Sequence, residues 1–243
     1  MKQIIISGGG GFTMDDVSFD VYVAHQAKKE NPKICILPTA SGDSPSIIKG
    51  FIQLFRYLGC ETSYLSLFCP PSDIESKIMS QDIIYVPGGH TKSMLALWKD
   101  WGVDKLLKRA YENGIVLAGT SAGSVCWFEN FISDAYPDRY IVLEGLGLLK
   151  GSHAPHYSNQ NGRRREYKKH IVSGQIKGGY GLDNGVSLHF VDGEIFKILK
   201  NNDNGEAYMV EPENGKAVEV KLDASEIDQE SCVAPFFNVS EDE

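Results

Sequence analysis

Five residues constrain this chain more than any others. Gly119-Thr120-Ser121-Ala122-Gly123 has the pattern G-x-S-x-G and stands directly after the apolar run Ile115-Val116-Leu117-Ala118. A short apolar run stopped by glycine reads as a buried strand. Beyond it, Ser124-Val125-Cys126-Trp127-Phe128 has apolar spacing suited to the first turns of a helix. A chain passing from strand to helix this abruptly has no room for side chains at 119 and 123, and glycine removes them. Ser121 then sits at the apex in a strained conformation, its hydroxyl standing out from the sheet edge as in a nucleophile elbow. The start of the helix turns backbone N–H groups toward whatever Ser121 attacks.

An elbow of this kind needs an α/β frame, and the first half of the chain reads as one. Apolar runs predict strands at Gln3–Ser7, 34–37, 61–67, Ile83–Val86 and 115–118. Helical spacing predicts helices at 17–29, 45–58, Ile74–Met79, 94–98 and 103–111. This alternation gives a mostly parallel sheet with helices on both faces. Ligands in such sheets sit at the carboxyl ends of the strands. The loops there are Gly8-Gly9-Gly10-Gly11, Pro87-Gly88-Gly89-His90 and the elbow, which makes the Ser121 region the expected site.

The second half changes character. Short strands are expected at 145–149, 180–182, Val186–Val191, 194–198 and 217–220, with Asp192-Gly193 as a hairpin turn. Asn201-Asn202-Asp203-Asn204-Gly205 reads as another turn. With no linker, repeat or low-complexity segment, residues 1–243 are expected to form one domain. Its α/β core covers about 1–200 and an antiparallel C-terminal extension about 201–243. The acidic end of residues 225–243 is expected to fray.

Composition narrows the function classes. A net charge of −8 leaves no basic face for nucleic acid or an anionic membrane. No apolar run approaches the roughly 20 residues that span a bilayer. The apolar run Ile4-Ile5-Ile6 is too short for a signal-peptide core. Five scattered cysteines (35, 60, 69, 126 and 232), without C-x-x-C pairing, read as reduced thiols, so a cytoplasmic location is expected.

A serine nucleophile needs a base, usually histidine. Ser152-His153-Ala154-Pro155-His156-Tyr157-Ser158 offers two in one segment, and the proline before His156 favours that residue, with His153 in reserve. His25, His170 and His189 have no supporting context, while His90 is placed to line the pocket rim. The oxyanion formed by attack needs two preorganised donors. Ala122 N–H is the first, and the Gly88-Gly89 turn is expected to supply the second. Gly8-Gly9-Gly10-Gly11 lacks the third glycine of G-x-G-x-x-G and any following Gly-Lys-Ser/Thr. It reads as a close-approach loop, not a phosphate cradle. Arg163-Arg164-Arg165 opens a run that would ordinarily be a solvated helix face, yet one arginine there could hold a substrate carboxylate. His153 and His156 lack a carboxylate spaced as in a metal motif, so no metal is expected.

Pro87-Gly88-Gly89, Gly119-Thr120-Ser121-Ala122-Gly123-Ser124 and Pro155-His156-Tyr157, in this order, give the chain a resemblance to the peptidase E family. These aspartyl dipeptidases form a serine-peptidase branch of the class I glutamine amidotransferase-like superfamily. The resemblance runs from the first strand to about residue 200. It implies a flavodoxin-like, three-layer α/β/α fold, no metal, no cofactor, a peptide substrate with an N-terminal aspartate, and a homodimer as a plausible assembly. By position, Ser121 matches the family nucleophile, His156 its histidine, and Gly88, Gly89 and Ala122 its oxyanion region. The chain departs at the third member. Where the family often carries glutamate, Gly181-Leu182-Asp183-Asn184-Gly185 puts Asn184, leaving Asn184, Asp183 and Asp134 as candidates, with Asp138 less well placed.

These readings converge on a serine-type peptidase for short peptides, with those carrying an N-terminal aspartate as one candidate class. Two rivals use the same scaffold: a non-catalytic binding or regulatory protein, and an acyl-transfer enzyme that delivers the acyl group to an amine.

Overall fold

A computed structural model describes residues 1–12, 16–201, 205–223 and 225–226. In chain order the first half runs β1 (Gln3–Ser7), α1 (Ser18–His25), β2 (Lys33–Ile36), a 3-10 turn (Pro38–Ser41), α2 (Pro45–Tyr57) and β3 (Glu61–Tyr64). It continues through α3 (Ile74–Met79), β4 (Ile83–Val86), α4 (Thr91–Asp100), α5 (Val103–Glu112), β5 (Val116–Thr120) and the single turn α6 (Ala122–Val125). The second half has β6 (Phe128–Tyr136), β7 (Arg139–Glu144), β8 (Leu149–Ala154), α7 (Arg163–Val172), β9 (Gly179–Leu182) and β10 (Val186–Val191). Then follow β11 (Glu194–Lys200), β12 (Ala207–Glu213), β13 (Lys216–Leu222) and β14 (Ser225–Glu226).

The strands form two sheets. The first has the order β14-β11-β10-β1-β5-β4-β2-β3, and its five first-half strands are parallel. Strands covered on both faces read as unbroken apolar runs, and β1, β4 and β5 are buried at every residue. One face is covered by α1 and α2, whose Phe19, Tyr22, Val23, Phe51 and Phe55 pack on Ile5, Ile34 and Ile36. The other is covered by α4 and α5, where Met94, Trp98 and Leu107 meet Ile4, Ile6 and Ile84. That second core continues into Phe128, Leu149 and Leu182 of the other sheet. The expected α/β/α layering is therefore present.

The second sheet, β13-β12-β9-β8-β6-β7, is where the structure departs from the sequence reading. The addition was expected near residue 201, but its strands begin at Phe128, and β10 and β11 return to the first sheet in between. It is also mixed, since β6–β8 and β8–β9 pair in parallel. The helix expected at 124–128 ends after one turn, because Phe128 already starts β6. The strand expected at 145–149 is a loop along the elbow's exit: Leu146 N–H donates to Cys126 O (2.7 Å) and Leu148 N–H to Trp127 O (2.8 Å). The β10–β11 hairpin turns at Asp192-Gly193 as expected, with φ of 51° and 91°. In the turn expected at 201–205, residues 202–204 lie outside the described residues, as do residues 227–243 and with them Cys232. Cys35, Cys60 and Cys126 are free and buried, Cys69 free and exposed. No helix among the described residues is long and apolar enough to cross a membrane.

Candidate active site

Strand order puts the elbow at the centre of the carboxyl edge. β5 lies between β1 and β4, so the Gly8–Gly11 loop flanks Ser121 on one side and the Gly88-Gly89 turn flanks it on the other. Ser121 has φ 53° and ψ −110°, a conformation L residues avoid. The two glycines are required by space. A Cβ at Gly119 would lie 2.3 Å from Gly123 O, and one at Gly123 would lie 1.9 Å from Val86 O. On the β4 side, a Cβ at Gly88 would stand 3.3 Å from that of Ser121.

His156 comes from the other sheet, in the loop after β8. Its backbone is also left-handed (φ 52°), and its N–H donates to Gly8 O (2.9 Å). Nε2 lies 2.8 Å from Ser121 Oγ, and Nδ1 lies 2.5 Å from Asn184 Oδ1. With the amide oxygen accepting Nδ1–H, the Nε2 lone pair faces the serine proton, as a general base requires. Asn184 sits between β9 and β10, its own N–H donating to Asn159 Oδ1 (2.7 Å). Gly9 closes the arrangement. A Cβ there would lie 2.2 Å from Asn184 Oδ1 and 2.7 Å from His156 Cε1, and Gly9 O accepts from Gly185 N–H (2.8 Å). The tetraglycine is thus the wall of the histidine site. Burial lowers the His156 imidazole below its ordinary value; the Asn184 hydrogen bond opposes this, Arg163 adds to it and Asp134 offsets it.

Neither of the other third-member candidates reaches the histidine by hydrogen bond. Asp183 is buried and accepts Ser158 N–H (2.7 Å) and Glu206 N–H (3.2 Å), a tether for two loops. Asp134 takes Arg163 Nη2 (3.0 Å) and Gln160 Nε2 (2.8 Å), while Asp138 pairs with Arg139 (3.2 Å) in the β6–β7 turn.

The arginines divide three ways. Arg163 is buried against Asp134 and Gln160. Arg164 makes a bidentate pair with Glu219 (2.8 and 2.9 Å) over the rings of Tyr157 and Tyr208. Only Arg165 is open, its side chain 82% exposed with a 3.3 Å contact to Glu166. Arg165 borders a cleft of about 680 Å³ between the β6–β7 turn and the start of α7, with Asp134, Tyr140, Gln160, Lys169 and His170. His90 is exposed and caps α4, its Nδ1 accepting Ser93 N–H (3.2 Å) and its Nε2 donating to Ala135 O (3.4 Å).

His153, the reserve base, lies on β8 pointing into the core, fully buried, and contacts Ser124 in place of Ser121. On the oxyanion side, neither Ala122 N–H nor Gly89 N–H donates to a backbone acceptor among the described residues. The helix behind Ala122 is one turn long, so little macrodipole stands behind that amide. Sequence reasoning missed Asn159 and the steric role of Gly9. A tetraglycine ending a buried strand was the available signal for Gly9; Asn159 gave none.

The sequence profile of peptidase family S51 matches residues 4–198. The uncharacterized peptidase YgaJ of Bacillus subtilis (strain 168) is 44% identical over 225 residues, which covers 91% of this chain and 97% of that protein. Among solved structures, a peptidase from an acI-B1 Actinobacterium superposes with a TM-score of 0.66 at 16% identity, over 93% of this chain and 95% of that one. A putative peptidase E from Listeria monocytogenes EGD-e gives 0.59 at 20% identity, over 92% and 100%. The two structures show the fold.

Proposed function

The chain belongs to peptidase family S51, and from that premise we propose that it hydrolyses short peptides by a serine acyl-enzyme mechanism. The observation that carries this reading is the continuous contact Ser121–His156–Asn184, at 2.8 and 2.5 Å, on a strained elbow. Ser121 Oγ attacks the scissile carbonyl while His156 Nε2 accepts its proton. Ala122 N–H and the Gly88-Gly89 turn hold the oxyanion. The imidazolium then protonates the departing amine, and water, activated by the same nitrogen, releases the acyl group.

Asn184 is the orienter in this scheme. It fixes the tautomer, but a neutral amide stabilises imidazolium less than a carboxylate does. In its finer form the proposal takes dipeptides with an N-terminal aspartate. The substrate carboxylate then needs an accessible cation, and Arg165, 82% exposed with one 3.3 Å ion pair to Glu166, fits better than Arg163, buried against Asp134, or Arg164, held by a bidentate pair to Glu219. The catalytic elements of both sheets act as one unit in cytoplasm, as a single domain without metal or cofactor, alone or as a homodimer.

A dipeptide library varied at the N-terminal residue, with products identified by mass spectrometry, tests the reading. Cleavage by the full chain and none by Ser121→Ala is the expected result. Equal hydrolysis of Asp-Leu and Ala-Leu would remove the aspartate preference, and Ser121→Ala cleaving normally would remove the mechanism.

A further inference from the structure

A second serine–histidine pair lies directly beneath the first. Ser124 and His153 are each three residues from Ser121 and His156, and both are fully buried. Ser124 Oγ lies 2.6 Å from the Ser121 carbonyl oxygen, and His153 Nε2 lies 3.0 Å from Ser124 Oγ. At the far end, His153 Nδ1 lies 3.0 Å from the Tyr180 carbonyl oxygen, and the imidazole rests against the Phe128 ring. Complete burial bars this pair from attacking a substrate, so any effect on chemistry passes through the group it touches.

That group is the Ser121–Ala122 peptide. Its oxygen accepts Ser124 Oγ and the amides of Ser124 (2.9 Å) and Val125 (3.2 Å), and its nitrogen carries the Ala122 N–H that faces the reaction. A donor on the carbonyl of a peptide strengthens the N–H of the same peptide as a donor. We infer that Ser124 and His153 are positioning residues for the oxyanion hole. The hydroxyl locks the plane of the Ser121–Ala122 peptide and polarises its N–H, and the buried imidazole holds the hydroxyl in that orientation. The inference rests on the serine-peptidase reading.

Proton counting limits the tautomers. Carbonyl oxygens stand at both ends, so three contacts in a row would need three protons. One hydroxyl and a neutral imidazole carry two. Burial pushes His153 down to about 3 against the pull of the Tyr180 carbonyl, with His156 and Arg163 adding to the fall. The imidazole is therefore neutral, and one contact goes without a proton. Two oxygens at 2.6 Å require one between them, so Ser124 donates to Ser121 O; the inference then requires the imidazole proton on Nε2, because a bare Nε2 would draw the hydroxyl proton away from that carbonyl. On that requirement the 3.0 Å approach to Tyr180 is the contact left without.

The test compares the full-length wild type with Ser124→Ala, following the rate at which a fluorophosphonate probe labels Ser121. Losing an oxyanion donor outright costs about 10²–10³-fold. Here the donor stays and loses its support, so a fall of about 10-fold is expected. The acid limb of the labelling rate, set by His156, and KM for a cleaved dipeptide should not move. Equal labelling rates would overturn the inference. So would a fall accompanied by a shifted acid limb, which would mean that Ser124 only props the elbow. Nitrogen-15 shifts of the His153 ring in the wild type give a second readout independent of the variant's folding: Nε2–H is expected, and Nδ1–H would overturn the inference. A wild type that never labels would sink the peptidase reading itself, whereas a labelled wild type matched by Ser124→Ala would sink this inference alone.

Discussion

In the first sheet, β1, β4 and β5 are buried along their whole length; in the second, β7 and β13 contain no fully buried residue. Ser121, the proposed nucleophile, and both oxyanion candidates stand on the first. His156, the proposed base, stands on the loop after β8 of the second, and Asn184 on the connection that leads from β9 back to β10. A strained residue such as Ser121 persists only where its surroundings over-determine it, and packing on both faces of β5 does that. His156, also left-handed, lies in a loop between the buried Ala154 and Tyr157. Its place is set by hydrogen bonds across the seam, His156 N–H to Gly8 O and Gly185 N–H to Gly9 O. The site is therefore rigid on one side and docked on the other.

The largest effect should come from removing either partner of the seam. Ser121→Ala and His156→Ala should each lower kcat by about 10³-fold or more, and the double variant should be little worse than either, because groups acting as one unit are non-additive. Multiplicative losses in the double variant would mean the two sheets act separately. Gly9→Ala should follow, at about 10²-fold, since displacement of a catalytic group by about 1 Å costs that much. Its Cβ has no place beside Asn184 Oδ1 and His156 Cε1, so near-normal kcat would show that the loop is not the docking surface.

The same contrast explains what could be read from sequence. Gln3–Ser7, Ile74–Met79 and Ile83–Val86 have the expected bounds, because burial on both faces writes an unbroken apolar run into a strand and helical spacing into its partner. The elbow and its flanking glycine loops were legible because close backbone approach admits no side chain. β6 was lost because Val125-Cys126-Trp127-Phe128 suits a helix or a strand equally, and only the loop at 145–148 packing on its backbone decides. His153 reads as a loop residue since nothing after Leu149 in β8 is strongly apolar. It is fully buried, its ring nitrogens within 3.0 Å of Ser124 Oγ and the Tyr180 carbonyl oxygen. The fates of Arg163 and Arg164 were set by Asp134 and Glu219, 29 and 55 residues away, which no local pattern reveals.

Smaller effects sharpen the docked side. Burial holds His156 below its ordinary value, and the base works only when neutral. The acid limb of kcat/KM should therefore lie below the unperturbed histidine value of about 6.5. Asn184→Asp puts a carboxylate on Nδ1–H, which favours imidazolium and raises that limb by about one pH unit or more. An unmoved limb would remove Asn184 as orienter. Asp183→Asn and Asp134→Asn, whose carboxylates bond elsewhere, should change kcat only a few-fold. The smallest effect is expected at Arg165→Ala, raising KM for Asp-Leu by about 10-fold or less, as one charge-assisted bond on an exposed side chain warrants, and leaving Ala-Leu unchanged.

The central claim is that an elbow serine from one sheet is activated by a histidine from the other. Fluorophosphonate labelling of the intact chain, followed by peptide mapping, tests it most directly. The account predicts one adduct, on Ser121, and its loss in His156→Ala with the fold retained. An adduct elsewhere, or undiminished labelling of Ser121 without His156, would contradict it.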